Sequence, residues 1–237
     1  MIGLGTLINV AGIVAGGLAG LVFRHAITKR YQDNMVAALG VCTLFIGILG
    51  ACEESLKLVE GGLKSSGMMM IIGSLTIGML LGTFMHITEG IEALGEWLKN
   101  RSGSSGDTKF VRGFVVASLT VCIGAMAVVG SIKDGLAGDI SILTAKAVMD
   151  MIIVAVMTAS LGKGCIFSAV PVLIFQGVIT LLARFIEPFL TAQAVSNLSL
   201  VGSIMIFCVG VNLLWGDRIR VADLLPALVI AVVWAFV

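Results

Sequence analysis

The chain has 237 residues, 58% of them hydrophobic and 12% charged, with a formal net charge of +1. Soluble domains carry roughly one-quarter charged residues, so the composition is that of an integral membrane protein, with the lipid bilayer as its first partner. The near-neutral balance and the lack of a basic aromatic pattern exclude nucleic acid.

The first 23 residues hold no charge, and Arg24, His25, Lys29 and Arg30 follow directly. A secretory signal carries its positive charges ahead of the apolar run, so this stretch predicts an uncleaved first transmembrane helix. Gly12, Gly16 and Gly20 recur every four residues beside Ala11, Ala15 and Ala19, which puts small residues on one face and lets another helix approach closely. The other use of such a face is a moving or pore-lining interface. Asn9, among apolar residues, reads as a bond across helices.

A second span is expected over residues 35–52 and a third over 68–87, joined by the polar connection EESLKLVEGGLKSSG. The segment TEGIEALGEWLKN then repeats Ile91, Leu94 and Leu98 at helical spacing, with Trp97 at its edge, which predicts an amphipathic helix at the membrane surface. His86 reads as an interfacial residue. RSGSSGDTK is a flexible surface loop, so one transmembrane domain over 1–237 divides into a first half, 1–100, the loop, 101–109, and a second half, 110–237. The five cysteines, odd in number and without metal-ligand spacing, imply no disulfide framework and read as packing residues.

The fourth span, 110–129, leads into the most polar part of the apolar chain, Cys122 to Asp150: a turn-rich segment holding Asp134 and Asp139, then a fifth span, 141–161, carrying Lys146 and Asp150 four residues apart. A lipid-facing charge near mid-bilayer costs about 2.5–3.5 kcal/mol on insertion scales, so these two are expected to face protein or water and to pair. Asp139 or Ser141 is placed to cap the fifth helix. Only Gly162-Lys163-Gly164 separates it from a sixth span, 165–185, where Pro171 predicts a kink that frees a carbonyl and Gln176 adds a neutral polar group. The seventh span covers 198–215, with Asn212 near its end, and the eighth 219–237, with Pro226 early in it.

With the N-terminus outside, eight crossings place 10 loop Lys and Arg residues on the cytoplasmic side against 4 on the other, as the positive-inside rule requires; both termini are then outside. Short apolar-Gly-apolar cores at Gly47, Gly124 and Gly210, with Asn34 and Asn197 each 13 residues before the first and last, suggest a repeat relating spans one to three with six to eight. Under eight crossings that repeat is inverted, a transporter architecture with its site at the midplane. The expected fold is an all-α, polytopic helical membrane protein with about eight transmembrane helices and inverted repeats.

The runs CIGAMAVVGSIKDGLAGD, KAVMD, FSAVPVLIFQG and LLPALV, with the Gly-rich start GTLINVAGIVAGG, resemble the YdfK/YqgA-like family of bacterial multi-pass membrane proteins. The resemblance covers nearly the whole chain, and the Asp134-Gly135 to Gly138-Asp139 segment is its most specific part. Met151 stands where the family pattern has Gly, and TFMHIT replaces an acidic segment. The resemblance implies a bacterial inner-membrane location and no particular activity.

A buried carboxylate and amine can exchange charge during a transport cycle. The reading is a secondary transporter or channel for a small polar solute or ion: Asp150 as the binding carboxylate, Lys146 its charge partner, Asp134 and Asp139 at the entrance, Gln176 and Asn212 supplying neutral hydrogen bonds. The alternative is a non-transporting scaffold or assembly subunit, supported by the small-residue face of the first span; a homo-oligomer is among the expected partners. No phosphate loop, HExxH or GxSxG motif points to an enzyme, and neither a cofactor nor a metal is expected.

Overall fold

The computed structural model describes residues 2–26, 28–59, 62–104 and 106–236, with the backbone alone at 25, 26, 57–59 and 63. In chain order the described helices are α1 (Leu4–Ala26), α2 (Lys29–Ser55), α3 (Met68–Phe84), α4 (Ile87–Arg101), α5 (Phe110–Cys122), α6 (Ala125–Ala137), α7 (Ser141–Leu161), α8 (Ala169–Leu181), the short α9 (Ala183–Ile186), α10 (Ala192–Trp215) and α11 (Leu225–Val233). Five helical segments are long and apolar enough to cross a membrane, seven if two bent pairs, α3 with α4 and α5 with α6, each count as one; the last apolar stretch, Val221–Phe236, is shorter. The protein is a helical membrane protein.

The polar connection expected after the second span carries two short strands. Leu56–Val59 (β1) pairs antiparallel with Gly62–Ser65 (β2) as a small hairpin. Alternating Leu and Lys at 56–58 carries the strand period, which a reading focused on polarity passes over.

The chain packs as two compact units. One comprises Met1–Leu39, Gly90–Cys122 and Met126–Glu187; the other comprises Gly40–Glu89, Ile123–Ala125 and Pro188–Val237. In the first, α1 lies along α7. A Cβ added at Gly12 would sit 2.9 Å from the Ala147 carbonyl oxygen, and one at Gly16 or Gly20 would collide with the Met151 or Ala155 carbonyl. Both series advance by four in the same direction, so α1 and α7 are parallel with their backbones in contact, the close approach that small residues permit.

Also in this unit, α4 turns Leu98 onto Phe110 and Phe114 of α5, with Ile91, Leu94 and Phe167 closing the cluster, while Trp97 remains 61% exposed. The apolar stripe expected to rest on the membrane surface is therefore covered by α5. Its helical spacing fixed that one face needs cover; it did not say by what.

Three local expectations change. The fourth span breaks at Gly124, φ 145°, where α5 and α6 bend by 62°. Asp134 and Gly135 then lie inside α6, and the turn comes at Gly138, φ 67°. A Cβ at Gly135 would press on the Thr180 carbonyl, so that glycine serves a close approach and not a turn. The third change is at Pro171, which sits in the first turn of α8 after a 3-10 stretch, Lys163–Ser168. A first-turn N–H has no acceptor within its own α-helix, so the proline stands where the 3-10 stretch passes into α8 and not in the middle of that helix.

In the second unit the seams are antiparallel. Gly78 and Gly82 of α3 approach Ala227 and Asp223 at and just before α11, and Gly40 and Gly47 of α2 approach Leu214 and Phe207 of α10.

The α1–α7 seam yields a paired prediction. Gly16→Ala forces the backbones apart and lowers the thermal unfolding midpoint in detergent, an overpacking cost of about 1–3 kcal/mol. Gly90→Ala, at a helix position with nothing within 4 Å of the added carbon, raises the midpoint through a gain of about 0.5–1 kcal/mol in stability. Equal effects at the two sites would refute the close seam.

Candidate functional site

Polar side chains inside the first unit define the site. Lys146 and Asp150 stand one turn apart on α7, with Nζ 2.9 and 2.8 Å from the two carboxylate oxygens. Both are buried, at 7% and 3% exposure. The i, i+4 spacing that puts them on the buried face also lets them close on each other, so the pair is neutral as a unit. The amide of Asn9, on α1, reaches the Asp150 carboxylate across the seam and acts on it as a hydrogen-bonding group, though too poorly aligned to satisfy its own polar atoms fully. Asn9 thus reaches across helices, as its position among apolar residues leads one to expect, but loosely.

Gln176, on α8, is fully buried, and neither amide atom has a partner. The Thr6 and Thr180 hydroxyls are also buried without one. These four residues sit on two touching helices. α1 and α8 run antiparallel, since Gly17 lies against Ile166 at one end, while at the other Asp134 bonds Gly5 and Gly135 meets Thr180. Moving eight residues back from Gly17 reaches Asn9, and ten forward from Ile166 reaches Gln176. Thr6 and Thr180 thus share the level nearer Asp134, and Asn9 and Gln176 stand about one turn deeper. A buried, unpartnered amide costs about 1–3 kcal/mol by mutational data and more on cyclohexane scales, so this lane of buried polar groups is kept at a cost to stability.

Asp134 caps α1. Its carboxylate, wholly buried, accepts the backbone N–H of Gly3 at 3.1 Å and of Gly5 at 3.0 Å, satisfying donors that a helix start leaves open and placing negative charge at the positive end of the dipole. Asp139 is exposed and accepts the Ser141 N–H at 3.0 Å. Hydrogen bonding from Ser141 holds its carboxyl below the usual range. Asn212 belongs to the second unit, where its oxygen accepts the N–H groups of Arg218 and Ile219 and its amide donates to the Ile219 carbonyl. It fastens the turn after α10.

Sequence reasoning missed a third buried carboxylate. Asp223, in the second unit, accepts the Thr88 N–H at 2.9 Å, the Thr88 hydroxyl at 2.8 Å and the Thr83 hydroxyl at 3.3 Å, and pairs with Arg220 at 2.9 Å. Arg220 also bonds Glu89. This network caps α4, whose start follows His86, a non-glycine residue at φ 54°. An acidic residue three positions before Pro226, at a helix start, was the available signal. Among the described residues no three His, Cys, Asp or Glu side chains converge as a metal site would require.

Apolar crossing helices, sheltered charges and distant carboxylate caps together define a multi-pass membrane protein. The chain belongs to the family described as Protein of unknown function (DUF554), which it matches over residues 4–236. It is 29% identical over 233 residues to "Uncharacterized membrane protein YdfK" of Bacillus subtilis (strain 168), covering 98% of this chain and 96% of that one. It is 25% identical over 232 residues to "Uncharacterized protein YqgA" of Escherichia coli (strain K12), covering 96% and 94%. No solved structure matches it.

The geometry of the ion pair sets a test. Asp150→Asn strands a buried ammonium and costs about 3–5 kcal/mol, whereas Lys146→Met with Asp150→Leu removes both charges and leaves stability near or above the parent value. Unfolding midpoints of the single and double variants check this; a double variant as unstable as the single would refute a self-contained pair.

Proposed function

We propose that the protein is a secondary transporter or channel that moves a small polar solute or ion across the bacterial inner membrane, through the polar lane between α1 and α8. The observation that carries this reading is that, among the buried polar side chains lacking a full protein partner, Thr6 and Asn9 of α1 and Gln176 and Thr180 of α8 fall on two helices that touch, with Asn9 held only loosely by Asp150. A bundle that serves only as packing loses stability by keeping such groups, because apolar residues of the same shape fit at lower cost. A bundle that passes a solute needs them, since the solute's own hydrogen bonds must be replaced along the way. The Lys146–Asp150 pair does not carry the reading, being satisfied within itself; it borders the lane through Asn9, where Asp150 can take a bond that the lysine releases.

The arrangement favoured is eight crossings with both termini outside. In its support, spans one and five must run the same way, and α1 and α7 are parallel; spans two and seven, and three and eight, must oppose, as α2 with α10 and α3 with α11 do. The latter pairings are also those an inverted repeat of spans one to three and six to eight would give. A reporter active only in the cytoplasm, fused at the C-terminus, stays silent in this arrangement; an active fusion overturns it.

Proteoliposome swelling with glycerol, urea and glycine, together with a pH-sensitive dye for protons, tests transport. Protein-dependent flux of at least one is expected. Asn9→Leu and Gln176→Leu abolish it while leaving the unfolding midpoint equal or higher, because an unsatisfied amide gives way to a hydrocarbon. Flux that persists in both variants removes the lane from the mechanism. Absence of all flux favours the scaffold reading, which has one feature behind it: an apolar groove of about 320 Å³ beside the α1–α7 seam, lined by Ala15, Ala19, Met35, Ile152 and Ala155 among others.

A further inference from the structure

A cavity of about 450 Å³ in the second unit takes no part in the polar lane. It lies where β2 runs into α3, beside the start of α10 and the end of the last helix, and Met68, Met69, Met70, Trp234, Gln193 and Asn197 line it. Its size falls in the range of small-molecule sites. No charged side chain is among the described residues that line it.

Its two sides differ in chemistry, and each is held in place. The indole of Trp234 lies on the bare backbone of Gly73, where an added Cβ would meet ring carbons at 2.7 and 3.0 Å. One wall is thus a fixed aromatic plane. Three methionines also line it, long and polarisable side chains that adapt to a guest and favour contact with aromatic edges; Met68 and Met69 are 61% and 75% exposed, Met70 is buried. The polar side is a short relay: the Asn197 amide donates to the Ala231 carbonyl at 3.0 Å, and the Gln193 amide donates to the Asn197 oxygen at 2.8 Å. With Asn197 anchored, Gln193 presents its own oxygen and its remaining N–H.

We infer that this cavity binds a small, uncharged aromatic molecule bearing one hydrogen-bonding group. The aromatic part lies between the Trp234 plane and the methionines, and the polar group meets Gln193. An anion or a cation finds no opposite charge among the described lining residues, whereas an uncharged aromatic ring meets apolar surface, so charge is selected against. This inference stands apart from the transport reading, since binding is measured without flux.

The test uses the full chain in lipid nanodiscs, with Trp97→Phe and Trp215→Phe so that Trp234 is the remaining indole; both replaced residues are 61% exposed. 2-Naphthol is the probe and 2-naphthoate its charged counterpart. Saturable quenching of Trp234 emission by naphthol is expected, with naphthoate at least about 10-fold weaker. Gln193→Leu, at an exposed position, weakens naphthol about 2- to 12-fold, as loss of one net hydrogen bond implies. Met69→Lys brings charge to the wall and reverses the preference between the two probes. Non-saturable quenching, equal affinity for naphthoate, or Gln193→Leu without effect overturns the inference. Quenching of Trp234 by bromine-labelled lipid chains that naphthol does not relieve overturns it as well, since the cavity then holds lipid.

Discussion

A polar atom in hydrocarbon has no water to turn to, and each one left without a partner costs free energy comparable to a whole tertiary contact. The described polar groups of this protein divide along that line. Lys146 and Asp150 answer it by closing on each other. Asp134 and Asp223 answer it by taking up backbone N–H groups at the starts of α1 and α4, in positions 129–135 residues away in sequence. Gln176 finds no protein partner and Asn9 only a loose one at Asp150, in a molecule that satisfies its buried carboxylates fully.

The caps also explain why charges survive deep in so apolar a chain. Each carboxylate neutralises the positive end of a helix dipole and supplies acceptors that the helix start lacks. Without Asp134 the beginning of α1 would be left uncapped in a packed seam; without Asp223 the start of α4, already strained at His86, would lose three donors' partners at once. Ion pairing is secondary in both places, and Arg220 joins from an exposed position.

Close helix approach is the second organising feature, and glycine makes it available. Gly12, Gly16 and Gly20 set α1 against carbonyls of α7, and Gly78 and Gly82 set α3 against the start of α11. Dispersion contacts gathered over such seams replace the hydrophobic drive that helices lack in lipid. They also hold α1 so that Thr6 and Asn9 turn inward, which links the packing pattern to the candidate site.

Composition and apolar run lengths settled that this is a helical membrane protein, because hydrocarbon admits few other spanning structures. The four-residue glycine period marked the close face of α1, and the Lys146–Asp150 spacing announced a pair on one face of one helix, since both are local properties of a 3.6-residue turn. Other features lay out of reach of the chain read in order. Which helix fills the glycine groove, which backbone Asp134 caps, why Pro171 falls at a helix start, and how fully Asn9 is satisfied all depend on residues distant in sequence but adjacent in space. Only the tertiary structure decided them, because a hydrogen bond is made or missed according to what stands within about 3 Å, and one chain's order does not state its neighbours.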